Sequence, residues 1–537
     1  MSRIRGAGSR RPPAIVGTLI LLAGAGGAAA AAATPHPGLR FRNISGVVQG
    51  DPTPVPAALW RYALGWDRQD LVWSRCEPRP GEWNQGYLRR WERMVLAYGK
   101  DRVRILPILD YNAPWSWERS ERTFQLGGDR WHVQPRAAGK YRVTEFARGA
   151  RGQWRRVWAR TVTPGTDWRM AAGPVMWPLA AGHVKDWQSY VRRTVGLLRR
   201  PPYNLEYFQI WNEAYPTSGY WFGGMGSYFR RVFLPAAKVI HQLGGKVVYG
   251  GWPCIGPLHE YVGLLDKYHA WKSVDVLDVH YMPLAAWRYL YEAAEKRGYN
   301  GKGIWQTEIG FSPDPGFISN FYPRFLYWAL THGGEQRNRY KVFYFAFQSP
   351  DDPKAYGYGK TLYCGPNLAP QGLSLRTLGE LFHGHAIHAY PNVYSNPPLK
   401  LKLNERLSSL EAFEVRGRIV VAIHLIAENY ADIFVDKALN TMHLGFGHPS
   451  VTLILPKLRL STVQSVQRWD LEGRRTVLTK WLRRRARGGV QLSIPVRGGE
   501  ASPIRHWPWL GRRLVRTFYT VFNLAAGPHP PRGRPNH

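Results

Sequence analysis

The feature that most constrains the fold is a regular alternation of apolar strand-like runs with amphipathic helical stretches between residues 40 and 390. Helical stretches such as Tyr87–Tyr98 and Trp187–Leu198 repeat apolar residues three and four positions apart. Eight units follow one another, with strand candidates at Arg42–Val47, Gly65–Leu71, Val103–Asp110, Leu205–Trp211, Lys246–Gly251, Val274–His280, Gly303–Glu308 and Tyr340–Phe347. Strands that alternate with helices form parallel sheets, and eight such units predict an α/β fold of the closed (β/α)8 TIM barrel type.

An open, doubly wound sheet is the alternative arrangement of the same pattern. That fold is expected to carry a glycine-rich phosphate-binding loop after its first strand. No such loop follows the first strand candidate of this chain, so the barrel is preferred.

One unit of the predicted barrel is much longer than the others. Between the third strand and its helix lies an insertion at about residues 116–182, in which Tyr141–Thr144 and Arg155–Thr161 flank Gly149–Gly152. This pattern predicts a β-hairpin. The insertion leaves the barrel at the face where active sites are built. It is therefore either a wall or lid of the substrate cleft or an extension with a purely structural role.

The two ends of the chain differ from the barrel region. After about Pro397, alternating apolar and polar residues separated by turns predict a small C-terminal β-sandwich over residues 397–500. The last segment, residues 501–537, is rich in Arg, Pro and Gly, and we expect a disordered basic tail.

Residues 1–33 have the pattern of a signal peptide, with early arginines, an apolar stretch over residues 14–33 and small residues at its end. This predicts a secreted, periplasmic or cell-envelope protein. An uncleaved membrane anchor is the alternative, because about 20 apolar residues span a bilayer. No other segment is apolar enough, so no stable membrane span is expected after cleavage.

The chain is strongly basic, with 73 Lys and Arg against 37 Asp and Glu and a formal net charge of +36. Such a charge fits an acidic polymer as substrate, contact with an anionic envelope or nucleic acid, or an arginine-biased origin. The basic residues are spread along the chain, and no nucleic acid partner is expected. Cys76, Cys254 and Cys364 allow at most one disulfide and lack metal-ligand spacing. Nothing else in the sequence demands a metal or an organic cofactor, and none is expected.

Two glutamates close strand-like runs, in Phe208-Gln-Ile-Trp-Asn-Glu213 and in Ile304-Trp-Gln-Thr-Glu308. The strand count places them on the fourth and seventh strands. Cleavage of a glycosidic bond needs one carboxyl that protonates the leaving oxygen and a second that attacks or stabilises the sugar carbon. Two carboxyls at the C-terminal ends of barrel strands are therefore candidate catalytic groups.

These motifs resemble clan A of the glycoside hydrolases, and their surroundings are most similar to family 39, which includes β-xylosidases, α-iduronidases and exopolysaccharide hydrolases. Further matching pieces are Gly65-Trp-Asp-Arg68, the run from Trp73 to Trp83, Leu109-Asp-Tyr-Asn112 and Val279-His280-Tyr281. The resemblance covers the barrel and, more loosely, the sandwich. It implies retention of anomeric configuration, with carboxyl groups about 5 to 5.5 Å apart.

The resemblance also implies roles for individual residues. Glu308 would be the nucleophile and Glu213 the acid/base. Arg68 is expected to keep Glu308 ionised, and Tyr281 to donate a hydrogen bond to it. The negative charge of Glu308 is expected to raise the pKa of Glu213. Asn212 is expected to bind the sugar 2-hydroxyl.

Four more residues are predicted to contact substrate, each with a structural role as the alternative: His280, Asp110, Asn112 and Trp252. Several aromatic residues near strand ends could stack on sugar rings or pack in the core: Trp115, Tyr215, Trp221 and Phe347. Glu77 is predicted to fix a loop.

The sequence therefore predicts a glycosidase that acts on an extracytoplasmic polysaccharide or oligosaccharide, with acidic polymers among the candidates. The alternative is a catalytically silent carbohydrate-binding protein of the envelope, and a nucleic-acid-binding protein would rest on charge alone. The sugar, its linkage and the oligomeric state are left open by the sequence.

Overall fold

The computed structural model describes residues 39–50, 58–118, 121–126, 129–136, 141–149, 152–162, 178–216, 220–221, 223–312, 315–334, 336, 338–355, 357–396, 409–426, 432–436, 441–445, 450–495 and 515–525. The predicted signal peptide, residues 1–33, lies outside them. Across these ranges, no helix combines the length and the apolar character needed to cross a bilayer.

Eight parallel strands close into a barrel, as predicted. We number them β1–β8 in chain order: Ser45–Val48, Trp66–Val72, Arg104–Asp110, Tyr207–Ile210, Lys246–Val248, Val276–His280, Gly303–Gly310 and Tyr340–Phe345. Each strand pairs in parallel with its neighbours in sequence order, and β1 pairs with β8. The one displaced prediction is the first, because Phe41–Ile44 forms a short helix and β1 begins after it.

The helices that follow β1 to β8 surround the barrel. In chain order the helix next to the sheet in each unit is Ala58–Tyr62, Gln85–Lys100, Val184–Arg199, Leu234–Gln242, Leu258–Lys267, Leu284–Glu295, Pro315–Thr331 and Pro370–Leu381. Their apolar faces pack on the outer side of the strands in one large core. Burial of these apolar faces is the main source of stability in such a layered fold.

The barrel interior is filled in layers along the strand axis. Its lower layer is apolar and includes Trp66, Leu106, Trp305 and Phe343, all nearly without exposed surface. Because side chains on one face of a strand recur every second residue, the next inward residue of β2 after Trp66 is Arg68. Polar side chains therefore begin above the apolar layer and continue to the C-terminal ends of the strands.

The insertion forms a four-stranded antiparallel sheet of Arg122–Leu126, Asp129–Pro135, Tyr141–Arg148 and Trp154–Val162. The pairing of the last two strands confirms the predicted hairpin. The first two strands were not predicted. A bridge between Trp117 and Leu179 joins the two ends of the insertion where it leaves the barrel unit.

Two antiparallel sheets with a shared apolar core confirm the predicted β-sandwich. The six-stranded sheet has the order Ile387–Ala389, Ser409–Val415, Arg418–Ile426, Val515–Leu524, Val463–Trp469 and Arg475–Val477. The four-stranded sheet has the order Tyr394–Asn396, Ser450–Leu455, Val490–Pro495 and Leu482–Arg484. The sandwich thus starts before the predicted boundary at residue 397.

The prediction of a disordered tail over residues 501–537 is wrong for Val515–Leu524. This strand pairs with Arg418–Ile426 on one side and Val463–Trp469 on the other. Phe518, Tyr519 and Phe522 in it are fully buried. Aromatic and β-branched residues favour such a central strand, and the flanking residues 501–514 and 526–537 lie outside the described ranges.

Candidate active site

The predicted catalytic residues meet at the C-terminal end of the barrel. Glu308 lies in β7 and faces His280, the last residue of β6, as its register partner. Glu213 follows β4 by three residues, and the neighbouring Arg68 lies in β2. The fold thus brings together side chains that are 240 residues apart in sequence.

Arg68 is the centre of a buried hydrogen-bond network. Its guanidinium donates from Nη1 to Glu308 Oε1 at 2.6 Å, from Nε to Gln209 Oε1 at 2.8 Å and from Nη2 to Asn212 Oδ1 at 2.7 Å. Arg68 is only 1% exposed. Because the planar guanidinium fixes three acceptors at once, it orients Glu308 and determines which way the Asn212 amide faces.

Tyr281 contacts Glu308 from the other side. Its hydroxyl donates to Glu308 Oε2 at 3.3 Å, as predicted. Burial, together with the charge of Glu308, raises the pKa of Tyr281, so the phenol keeps its proton and remains a donor. Both oxygens of Glu308 are therefore held by hydrogen-bond donors.

Glu213 is hydrogen-bonded to His280, and the second partner of this histidine indicates which ring nitrogen carries the hydrogen. His280 Nδ1 lies 2.9 Å from Glu213 Oε1, and His280 Nε2 lies 2.9 Å from Thr307 Oγ1. The Thr307 hydroxyl donates to Asp278 Oδ2 at 2.6 Å, so it accepts from His280 Nε2. Burial lowers the pKa of His280 to about 3, which makes the ring neutral and leaves Nδ1 as an acceptor.

It follows that protonated Glu213 donates a hydrogen bond to His280 Nδ1. Burial raises the pKa of Glu213 to about 7, and the nearby Arg68 opposes the shift. The predicted cause of this raised pKa, repulsion from Glu308, is wrong. The carboxyl of Glu213 is instead buried, and its loss of solvation disfavours the charged form. Burial thus favours the protonated form of Glu213, whereas the guanidinium of Arg68 is bonded directly to Glu308.

The catalytic oxygens are close together. One oxygen of Glu213, one of Glu308 and a ring nitrogen of His280 all lie within 4.8 Å of one another. Such a cluster could face a cation, but Arg68 already donates to Glu308 Oε1 and Glu213 already occupies His280 Nδ1. Because these atoms are already hydrogen-bonded, the cluster fits a pair of carboxyl groups in acid/base and nucleophilic roles better than a metal site.

Backbone strain is concentrated at this site. Trp211, Glu213 and Tyr281 all have left-handed backbone conformations, with φ of 67°, 41° and 51°. Non-glycine residues adopt this region at a cost of about 1–3 kcal/mol each, and they cluster at functional sites. Gly251 also has a positive φ of 68° and lies directly against the His280 ring.

We expect Gly251→Ala to displace His280 and to lower both stability and activity. A Cβ at Gly251 would lie 2.1 Å from His280 Nε2 and would share the unfavourable backbone conformation. The matched control is Gly298→Ala, where φ is 76° and nothing lies within 4 Å of the new Cβ. Thermal unfolding and turnover should both fall further in Gly251→Ala than in the control, and equal losses would contradict the contact argument.

The pKa of Glu213 predicts the basic limb of the pH profile. Since the raised pKa keeps Glu213 protonated below about pH 7, kcat/KM should fall as pH rises through about 7. Glu213→Gln should remove this limb for aryl glycosides whose leaving group needs no protonation. The measurement is kcat/KM against pH for both proteins, and a limb that persists in the variant would show that another group titrates.

The remaining predicted site residues are mostly buried. Asp110 at the end of β3 and Asn112 after it have no exposed surface. Burial and the neighbouring Asp70 raise the pKa of Asp110 well above its usual range. Contact of Asp110, Asn112 and Asn212 with sugar stays a prediction.

Trp252 is buried and packs against two tyrosines. Its ring has no exposed surface, stacks on Tyr261 at 5.0 Å between centroids and packs edge-on against Tyr215. Its indole nitrogen donates to the backbone oxygen of Gly256. The structure thus assigns the ring of Trp252 to packing, and its contact with substrate stays a prediction, as for Asp110 and Asn112.

The other aromatic candidates divide by exposure. Trp221 and Phe347 are also fully buried, whereas Trp115 and Tyr215 keep part of their surface. Trp115 donates to the backbone oxygen of Glu77, and the carboxylate of Glu77 accepts from Trp73 Nε1 and the Gly81 amide. The loop-fixing role predicted for Glu77 is confirmed.

Three residues of the network were not predicted: Gln209, Asp278 and Thr307. Each is a fully buried polar residue within a strand of the barrel. A buried polar group needs a partner, so polar residues within apolar strands were the available signal. The three cysteines have no disulfide partner.

No protein-family model and no curated protein matches this sequence. Among solved structures, a family 39 glycoside hydrolase from the gut symbiont Bacteroides cellulosilyticus WH2 is similar, with 12% identity and a TM-score of 0.51 over 90% of this chain and 81% of that chain. A family 39 enzyme from Xanthomonas axonopodis pv. citri has 13% identity and a TM-score of 0.47 over 90% and 94%. A family 30 endoxylanase from Clostridium papyrosolvens C71 has 10% identity and a TM-score of 0.44 over 91% and 98%.

Of these three structures, the Bacteroides protein is the one with a TM-score above 0.5, and at 12% identity this similarity shows the fold alone. It agrees with the closed parallel barrel found here. This chain therefore has a (β/α)8 fold that is similar to the fold of this family 39 glycoside hydrolase.

Proposed function

We propose that this protein is a retaining glycoside hydrolase that cleaves O-glycosidic bonds of an extracytoplasmic polysaccharide or oligosaccharide. One observation carries the proposal. Oxygens of Glu213, whose pKa burial raises to about 7, and of Glu308, which is bonded to Arg68, lie within 4.8 Å of each other at the C-terminal end of the barrel. A separation of about 5 to 5.5 Å is typical of double displacement, since no water fits between sugar and nucleophile.

In the first step, a Glu308 oxygen attacks the anomeric carbon while the bond from that carbon to the leaving oxygen breaks. The proton on Glu213 passes to the leaving oxygen, so the leaving group departs as an alcohol. Arg68 and Tyr281 hold Glu308 in place before the attack. Pre-arranged groups of this kind lower the barrier because they need no reorientation during reaction.

In the second step, water replaces the leaving group. Glu213 is now a carboxylate and takes a proton from the water as its oxygen attacks the anomeric carbon. The bond between sugar and Glu308 breaks, and both carboxyls return to their starting states. His280 remains neutral throughout, since burial lowers its pKa to about 3.

The proposed location rests on the sequence of residues 1–33, whose pattern is that of an export signal. A polymer substrate is consistent with such a location, because polysaccharides are found outside the cytoplasmic membrane. N-terminal sequencing of the protein recovered from its native host would test this part: an N-terminus near residue 34 would support it, and an intact Met1 in the cytoplasm would refute it.

The test of the activity is a screen. Neutral and acidic polysaccharides, together with 4-nitrophenyl β-glycosides, are incubated with the protein, and products are identified by mass spectrometry. Release of new reducing ends from at least one substrate is the expected result. Tight binding of a glycan without any product would instead identify a silent binding protein.

A further inference from the structure

The sandwich carries a continuous exposed segment of exceptional charge, residues 474–487, which we call the basic ridge. It contains seven Lys and Arg residues and no Asp or Glu: Arg474, Arg475, Lys480, Arg483, Arg484, Arg485 and Arg487. Six of these seven side chains are exposed, and Arg485 is half-buried. Trp481 is 41% exposed and Val477 64% exposed on the same segment. Charge therefore accumulates here well beyond the average of the chain.

The basic ridge has a defined structure. Leu478 and Leu482 are buried in the core of the sandwich. The Leu478 amide donates to Val466 O at 2.8 Å, and Thr479 Oγ1 accepts from the Val466 amide at 2.9 Å. Two buried anchors and these bonds fix the intervening basic side chains at one edge of both sheets.

Most of the charge on the basic ridge is not neutralised within the described ranges. The ion pairs found there are those of Arg474 with Asp470 and Glu472. Arg475 lies over the ring of Trp469 at 4.0 Å, and Lys480 over the ring of Trp481 at 5.4 Å. Like charges on one surface repel one another, so an anionic partner would be attracted to it.

A polar row extends from the basic ridge across the outer face of the four-stranded sheet. Tyr394, Ile454, Gln491 and Arg483 are register partners on the four successive strands. Their neighbours Leu453 and Leu492 are buried, so by alternation this row faces outward. Tyr394 is 57% exposed at the far edge. At about 4.8 Å per strand, the row is about 14 Å long.

We propose that the polar row and the basic ridge together form a docking surface for an acidic polysaccharide. A tyrosine ring offers a flat face for a sugar ring, the Gln491 amide can bond hydroxyl groups, and guanidinium groups bind carboxylates in a forked geometry. Arg483 is already held in place, because its Nη1 donates to Lys480 O at 2.6 Å.

The choice of a polysaccharide among polyanions rests on the proposed function of the same chain. The arrangement of the surface also favours a polysaccharide over a nucleic acid and over a membrane. Binding of single-stranded nucleic acid generally uses several aromatic rings in succession, whereas this row presents one ring followed by an aliphatic and an amide side chain. A membrane-binding surface would present an apolar face, and the row is largely polar.

The experiment measures binding of the Glu308→Gln chain, so its result does not depend on turnover. Polygalacturonate is the acidic probe and dextran the neutral one, with affinity gel electrophoresis and calorimetry as readouts. The test variant carries Arg483→Gln, Arg484→Gln and Arg485→Gln. The control carries Lys185→Gln, Arg192→Gln and Lys238→Gln on exposed barrel helix positions, which removes the same charge elsewhere.

We expect the test variant to lose affinity for polygalacturonate by about tenfold or more, because a local cation cluster raises the concentration of an anionic ligand by about 10- to 10³-fold. The control should change by less than about twofold, since distant charges are screened beyond about 10 Å. Tyr394→Ala should also weaken binding, and unchanged circular dichroism would show that each variant is folded.

Three outcomes would overturn the proposal. Equal losses in the two triple variants would mean that net charge alone attracts the polymer. Equal affinity for dextran would mean that the cations play no part. The third outcome has two parts: the parent chain binds single-stranded DNA or phosphatidylserine vesicles but not polygalacturonate, and the test variant loses that binding. This would assign the surface to nucleic acid or to a membrane.

Discussion

Glu308→Gln is expected to lower kcat by at least about 10⁴-fold on any glycoside that the protein cleaves, since loss of a residue that forms the covalent intermediate has effects of this size. The fold should be retained. Glutamine has nearly the same shape and can still meet Tyr281, although its amide loses the charge that pairs with Arg68. Turnover of the best substrate from the screen and thermal unfolding are the two measurements.

The control for this prediction is Glu292→Gln. Glu292 pairs with Arg288 on an exposed helix face, with Nε to Oε1 at 2.7 Å. Exposed pairs of this kind contribute at most about 1 kcal/mol, and Glu292 lies away from the site. Its substitution should leave kcat unchanged. A Glu308→Gln protein with a rate close to that of the control would exclude Glu308 as nucleophile.

Arg68→Met is expected to have the largest effect on stability. The substitution leaves Glu308, Gln209 and Asn212 without their common donor inside the barrel. Breaking a buried ion pair by removal of one partner typically costs about 3–5 kcal/mol, because the remaining charge is unsolvated. Thermal unfolding should therefore shift strongly to lower temperature, and activity should be lost together with the orientation of Glu308.

Two further variants separate charge from geometry. Arg68→Lys keeps the charge but cannot reach three acceptors with one planar group, so we expect intermediate stability and low activity. Arg288→Met breaks the exposed pair with Glu292 and should leave stability nearly unchanged. Wild-type stability in Arg68→Met would contradict the view that this arginine organises the site.

The barrel was predictable because its pattern is repeated eight times. Each strand candidate overlaps the observed strand, and errors are confined to ends. The clearest displacement is at Phe41 and Ile44, which are three residues apart and are both buried by a helical turn. A spacing of three fits a helix and a short apolar run equally well, so the sequence could not distinguish them.

Val515–Leu524 was missed for a different reason. Its apolar residues resemble those of other strands, but the flanking Arg, Pro and Gly residues dominate the composition of the segment. The strand depends on partners 50 or more residues away, such as Trp469 with Tyr519 and His424 with Thr517. Pairing over such distances is decided by tertiary packing, which composition does not report.

The candidate site was predictable to the extent that its groups lie at strand ends. Glu213, Glu308, Arg68 and Tyr281 follow from motif and strand count. The neutral state of His280 and the cause of the raised pKa of Glu213 do not, because both depend on burial by residues from other strands. The complete burial of Trp252 does not follow from the sequence either, because it depends on how Tyr215 and Tyr261 pack around the ring.

The most direct test of the account is to trap the covalent intermediate. The protein is incubated with a 2-deoxy-2-fluoro glycoside of the sugar found in the screen, bearing a good leaving group, and its peptides are analysed by mass spectrometry. Glu213 must hold a proton and Glu308 a negative charge, so we predict one fluoroglycosyl adduct per chain, on Glu308. An adduct on any other residue, or none while the parent glycoside is hydrolysed, would contradict double displacement through Glu308.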